Sequence, residues 1–430
     1  MAVRLFAFAS LISVLLTVIL VSGQTQNGPP TNVAGIPVNY DEAQVGNYTL
    51  PDPLVSTDGR KVRDANSWYK KRRPEIVRLF EENQFGRSPG RPADMSFDVF
   101  DKGTPALEGK AIRKQVTIYF SRNKSGPKMD LLIYLPAKTS KPVPLFLNLS
   151  FTANSSAVDD SGIKPGEVWG RDKKRGPAPK SGFGRFDVAP FLAAGIGVAT
   201  VYYGDIEPDF LGGVPYGVRG SYLKPGQAEP AANEWGAIAA WAWGLSRAED
   251  YLETDKGVDA RRVALFGVSR LGKTVLWAGA HDTRFKVVIA SCSGEGGAAL
   301  SRRNYGETIK HLTAPTRYPY QFAANYQKFS DHVDQFPVDA HLLLALIAPR
   351  PLLLQTGDQD GWSDPKGEFL AAVAASPVYR LLGKSGLDQE QMPAAGQPLI
   401  HTLSYYMHKG GHGTVPSDWE VFVKFLEANL

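Results

Sequence analysis

Cysteine is almost absent from this 430-residue chain, Cys292 being the only one. An intrachain disulfide is therefore excluded, as is a zinc site built on thiolates, and the core alone must hold the fold. Histidine is scarce too. The seven are His281, His311, His332, His341, His401, His408 and His412, and no two form an H-E-x-x-H or H-x-H pair; neither a metal nor another cofactor is expected. An excess of one charge is also lacking: 48 basic against 43 acidic residues leave a net +5, with the signs interspersed. That balance argues against a nucleic-acid partner. There is no internal repeat, and only the first residues carry a long apolar run. In MAVRLFAFASLISVLLTVILVSGQ, Arg4 precedes Leu5–Val21 and small residues follow. This pattern matches a secretory signal peptide over residues 1–23, so a secreted or periplasmic protein without a membrane anchor after cleavage is expected.

What is present describes a soluble globular chain, 43% hydrophobic and 21% charged, long enough to bury a large core. Residues 24–75 are rich in Pro, Gly, Asn and Asp and read as an irregular arm. Residues 76–430 read as one domain, expected to be monomeric. A helix is expected over Arg73–Asn83, and strands over Lys114–Phe120, Met129–Leu135, Val143–Phe151 and Gly197–Tyr203. Asp159–Phe186, dense in Gly, Pro and basic residues, reads as a surface insertion. Ala231–Leu252 has the alanine and tryptophan pattern of a helix buried against a sheet, with Trp235, Trp241 and Trp243 as core. Further apolar runs at Arg262–Val268, Lys286–Ser291 and Pro351–Gln355 alternate with helical patterns. Such alternation predicts a single α/β domain, a mostly parallel sheet flanked by helices.

The most informative run is RRVALFGVSRLGKTVLWAGA. An apolar strand ends at Phe266, Gly-Val-Ser-Arg-Leu-Gly turns the chain, and an apolar helix follows at once, which is the layout of a nucleophile elbow around Ser269, so residues 76–430 are expected to form an α/β-hydrolase catalytic domain. A sharp turn needs small residues on both sides of the serine, and Gly267 and Gly272 supply them, the second glycine standing one place later than in G-x-S-x-G. A serine hydroxyl needs a histidine to take its proton and a carboxylate to hold that histidine. In the C-terminal SYYMHKGGHGTVPSDW, the glycines around His412 favour it over His408 as the base. The acid is expected at the end of the strand Pro351–Gln355, where Asp358 and Asp360 follow.

Several stretches resemble the glucuronoyl esterases, carbohydrate esterase family fifteen, of bacterial type. G-V-S-R-L-G-K at the elbow is similar to that family's G-C-S-R-x-G-K. Pro337–Pro351, D-G-W-S-D-P-K-G at Asp360–Gly367 and G-G-H-G-x-x-x-x-D-W at Gly410–Trp419 look like its members as well. The resemblance runs in order from about Val143 to Leu430. It implies hydrolysis of an ester between a 4-O-methyl-glucuronoyl branch of xylan and an alcohol of lignin. It further implies that Arg270 stabilises the oxyanion, that Lys273 and Glu307 bind sugar hydroxyls, and that Trp362 lines the uronate pocket. Many relatives carry the triad acid as the glutamate of Glu-Ser-Gly-x-Gly-Gly, whereas this chain has Cys292-Ser-Gly-Glu-Gly-Gly. Some bacterial members place the acid on the later loop, where Asp360 stands; Glu295 and Asp358 are the other candidates. Two rival functions remain, an acetyl-xylan or broad carbohydrate esterase and a non-catalytic carbohydrate-binding protein. Ser269, Arg270 and His412 together argue against the second, since binding alone needs no nucleophile.

Overall fold

The computed structural model describes residues 29–180 and 184–430; the expected leader, residues 1–23, lies outside them. Nine strands form the central sheet: β1 (Ser96–Ala106), β2 (Ala111–Tyr119), β3 (Lys128–Pro136), β4 (Val143–Ser150), β5 (Gly197–Tyr202), β6 (Val258–Val268), β7 (Val287–Ser291), β8 (Leu352–Gly357) and β9 (Leu403–His408). Their spatial order is β9-β8-β7-β6-β4-β5-β3-β2-β1. From β9 to β5 all pairs are parallel, and β5, β3, β2 and β1 then pair antiparallel. The α/β-hydrolase expectation is met.

Alternation along the strands divides the apolar side chains between two layers of helices. Leu145, Leu147, Leu265, Val288 and Leu354 face one core with α1 (Arg73–Asn83), α2 (Ala237–Leu252) and α3 (Arg270–His281), helices that supply Phe80, Trp241, Leu245 and Val275. Phe146, Phe266, Ile289 and Leu353 face the other, with Phe422 and Phe425 of the C-terminal helix Pro416–Asn429. Phe146 stacks between Phe191, 4.5 Å away, and Phe266, 5.3 Å away. Sheets buried on both faces need apolar residues on both, and the strands from β4 to β9 are mostly apolar.

The expected elements recur with shifts of a few residues, and the helix Arg73–Asn83 is found as drawn. Helical turns already begin at Ala65, so the domain start set at residue 76 falls inside a continuous helical stretch. Helix α2 begins at Ala237 and not at Ala231. A Cβ at its N-cap, Gly236, would lie 2.4 Å from the Phe322 backbone, so the chain arrives there in extended form against another segment. Strands β1 and β9 were not expected. β1 is a polar edge strand containing Asp98, Asp101 and Lys102, and β9 lies behind a loop rich in Pro and Gly.

Register delivers the site. Val268 is opposite Ser291, Ser291 opposite Gln355, and Gly357 opposite His408. The segments beginning at Ser269, Cys292, Asp358 and Lys409 therefore all leave the sheet at one carboxyl edge, where α/β proteins assemble their sites.

Candidate active site

Ser269 has φ +59° and ψ −126°, a strained backbone for a residue with a Cβ. Its N–H donates to Ser291 O at 2.8 Å, and its carbonyl accepts from Lys273 N at 3.1 Å. Both flanking glycines are required by contact. A Cβ on Gly267 would lie 2.4 Å from Leu271 O, and one on Gly272 would lie 2.8 Å from Ser291 O. The serine thus sits at the amino end of α3, whose first N–H groups lack partners within the helix and can face a developing oxyanion.

His412 Nδ1 lies 2.7 Å from Asp360 Oδ2, with Ser363 Oγ at 3.2 Å. Nε2 is left for proton transfer. The imidazole is partly exposed, 38% of its side chain being accessible, while the Asp360 side chain is 3% accessible. Burial pushes the Asp360 carboxyl up, but the hydrogen bond and charge of His412, together with Ser363, outweigh it and hold the group below its ordinary range. The glycines beside His412 adopt positive φ, +138° at Gly410 and +108° at Gly413. His412 and Val268 share the wall of a cavity of about 240 Å³.

Cys292 joins the elbow to this pair. It directly follows Ser291, and its sulfur, Asp360 oxygen and His412 nitrogen lie within 4.8 Å of one another. Gly413 N also donates to Cys292 Sγ at 3.3 Å. The residue types could hold a soft metal ion. However, burial, reinforced by Asp360, drives the thiol far above its usual pKa, and Asp360 is bound to His412, so the arrangement is suited to proton transfer. The other acid candidates are committed elsewhere. Glu295 Oε1 accepts from Ser301 Oγ at 2.6 Å and from the Tyr326 hydroxyl at 2.9 Å, and burial raises its carboxyl to about 8. Asp358 Oδ1 accepts from Gly410 N at 2.8 Å and so pins the loop that carries His412. His408 is buried against Asp418, 2.9 Å away.

Arg270 forms an ion pair with Asp209, and its guanidinium lies over the Tyr318 ring at 4.8 Å. Burial disfavours its charge, but Asp209 more than restores it and raises the pKa. Asp209 is itself fixed by the Tyr203 hydroxyl at 3.1 Å, the Tyr320 hydroxyl at 2.9 Å and Gln321 Nε2 at 2.6 Å. Sequence reading missed Asp209; its one signal is a place soon after the carboxyl end of the expected strand Gly197–Tyr203.

The three sugar-binding candidates meet. Lys273 is buried, with Nζ 3.9 Å from Glu307 Oε2; desolvation lowers its pKa and Glu307 opposes the shift. Glu307 N donates to Trp362 O at 2.9 Å, and Glu307 Oε1 accepts from Arg317 Nη2 at 2.8 Å. Arg317 lies over the Trp362 ring, 5.3 Å from its centroid. The N-terminal arm covers these loops: Gly306 N donates to Asn39 O at 2.8 Å, and Lys366 Nζ to Glu42 at 2.8 Å. From the arm, Tyr40 brings a buried hydroxyl without a hydrogen-bond partner among the described residues.

A strained serine on a strand-to-helix elbow and a histidine bound to a buried aspartate, carried to the same sheet edge, are the arrangement of a carboxylic ester hydrolase of the α/β-hydrolase fold. Comparisons with known proteins narrow the class. Residues 230–383 match the model of the fungal glucuronyl esterase family. The chain is 44% identical to the carbohydrate esterase MZ0003 of an unknown prokaryotic organism, over 96% of this chain and 97% of that one. It superposes on the glucuronoyl esterase of Solibacter usitatus with a TM-score of 0.86 at 49% identity, covering 90% of this chain and all of the other. A promiscuous CE15 esterase from a marine bacterial metagenome gives 0.84 at 44% identity, covering 91% and 100%. The chain belongs to the glucuronoyl esterases, carbohydrate esterase family fifteen, which hydrolyse esters of uronic acids.

Proposed function

We propose that Ser269, His412 and Asp360 form the catalytic triad of an esterase acting on (4-O-methyl-)glucuronoyl esters, such as the lignin–carbohydrate links of glucuronoxylan, after export from the cell. The observation that carries this reading is the 2.7 Å contact between His412 Nδ1 and Asp360 at the sheet edge that also carries the strained elbow. Ser269 Oγ attacks the ester carbonyl as His412 Nε2 takes its proton, and the oxyanion is met by Arg270 and the first N–H groups of α3. Collapse expels the alcohol, which receives the proton from His412 and leaves a glucuronoyl-serine. Water, activated by the same imidazole, then releases the uronic acid and restores Ser269. Asp360 holds the Nδ1–H tautomer and stabilises the imidazolium. Lys273, Glu307 and Trp362 bind the sugar on the acyl side, so specificity comes from the acid and not the alcohol.

Purified enzyme tests this with benzyl glucuronate and benzyl acetate, which share a leaving group. The uronate should be turned over at least ~10²-fold faster in kcat/KM, the scale set by a site whose polar groups need the sugar hydroxyls. Equal rates would instead favour a broad carbohydrate esterase, a reading encouraged by the promiscuity stated for the marine relative.

A further inference from the structure

Behind the triad lies a carboxyl group that the reaction scheme leaves unused. Glu368 sits in the first turn of the helix Pro365–Leu381 and has no solvent exposure. Oε1 accepts from Gly294 N at 2.7 Å and from Ser293 Oγ at 3.2 Å, while Oε2 is buried without a hydrogen-bond partner among the described residues. The segment it grips touches both halves of the site. Ser293 Cβ is 3.1 Å from where a Cβ on Gly272 would stand, against the elbow. Gly294, at φ +58°, lies against Ser363, the residue whose Oγ is 3.2 Å from His412 and whose N–H donates to Asp360. One residue back, the Cys292 thiol receives the N–H of Gly413 beside the catalytic histidine.

We propose that Glu368 is a positioning residue of the esterase, a buried carboxyl that ties the 293–294 segment to the helix Pro365–Leu381. Through that segment it fixes the distance between the Ser269 elbow and the Asp360–His412 pair. This role rests on the triad reading above. Its charge state matters because a second anion would stand close to Asp360 in a dry site. The groups facing Glu368 are Asp360 from the loop after β8, Lys273 from α3, Cys292 from the end of β7, Tyr405 from β9 and Asp364 at its own helix start. Burial raises the thiol and the phenol far above their ordinary values, so both are uncharged. Burial likewise brings Glu368 to about 8, with Asp360 adding to the shift and Lys273 opposing it. Ionisation above that pH adds a charge with no partner for Oε2, and the segment must move to solvate it.

A triad histidine alone gives a rate that rises with pH and then levels, so a fall on the alkaline side reports a second titrating group. The experiment is the pH profile of kcat on benzyl glucuronate, from pH 5 to 9, for wild type, Glu368→Gln and Glu368→Leu. Gln keeps the acceptor for Gly294 and Ser293 but cannot ionise. Wild type should decline with an apparent pKa near 8; Glu368→Gln should match it within about threefold at pH 7 and stay level to pH 9. Glu368→Leu, if folded by circular dichroism, should lose ~10–10² in kcat with KM little changed, as misplaced reacting groups do. A wild-type rate that stays level to pH 9 overturns the proposal. So does a decline that Glu368→Gln retains, which would assign it to Lys273. Turnover at pH 7 tests the triad separately, so failure of the one is distinguishable from failure of the other.

Discussion

Asp360 Oδ2 and His412 Nδ1 are 2.7 Å apart, and the Cys292 sulfur sits within 4.8 Å of a carboxylate oxygen of the one and a ring nitrogen of the other. The cysteine thus occupies ground from which a longer carboxylate could reach the same imidazole. Asp360→Asn should cost up to ~10⁴-fold in kcat, because an amide at this position favours the wrong histidine tautomer. Glu295→Gln and Asp358→Asn should cost far less, since Glu295 serves Ser301 and Tyr326 and Asp358 serves the Gly410 backbone. Adding Cys292→Glu to Asp360→Asn should restore part of the rate. Steady-state kinetics of the four variants decides the matter, and a severe loss in Glu295→Gln with a near-normal Asp360→Asn would refute the assignment.

Arg270 is placed by Asp209, which three further side chains fix. If the guanidinium meets the oxyanion, Arg270→Ala should lower kcat by ~10²-fold or more with KM nearly unchanged. Asp209→Asn keeps the shape but loses the charge that anchors the guanidinium, so it should reproduce part of the same kcat defect. A rise in KM with kcat intact in both variants would make the pair a binding device.

Glu249 lies on α2 with no solvent exposure and with neither carboxyl oxygen hydrogen-bonded among the described residues. Burial raises its pKa from 4.5 to about 8. An acid whose folded-state pKa is raised keeps its contribution to stability below the unfolded value and loses it as pH rises through the folded one. Stability should therefore fall between about pH 4.5 and 8, with buried Glu295 and Glu368 adding to the slope. Glu249→Met should stabilise the fold at pH 8 by ~1–4 kcal/mol, as replacement of buried charge by apolar volume does, and by less at pH 5. Denaturant melts at the two pH values measure it; equal effects at both would contradict a titrating Glu249.

How far the site could be read depended on whether its chemistry is local. The Ser269 elbow is local: Gly267 and Gly272 are dictated by contacts within one turn and with the next strand, so strand, turn and helix were visible in sequence. His412 was legible through its glycines, and two of them do take positive φ. Asp360 could be chosen over Asp358 and Glu295 only with the help of the family resemblance, because which carboxylate meets the imidazole depends on loops from three strands. Asp209 and Glu368 were invisible for the same reason. The first follows β5 in a loop without a motif, and the second reads as an ordinary acid in a helix's first turn. Lys273, a charge on an amphipathic helix in sequence, is buried facing Glu307, which a distant loop brings to it. In the fold, most apolar strands covered on both faces declared themselves, while the polar edge strand β1 and the buried β9, set behind a loop rich in Pro and Gly, did not.

The most direct test of the account is the rate at which Ser269→Ala hydrolyses benzyl glucuronate at pH 7, relative to wild type, in protein shown to be folded. A serine triad predicts a loss on the order of a thousandfold or more in kcat, with a substrate that still binds at Lys273 and Glu307. Turnover within tenfold of wild type would contradict the claim that Ser269 is the nucleophile.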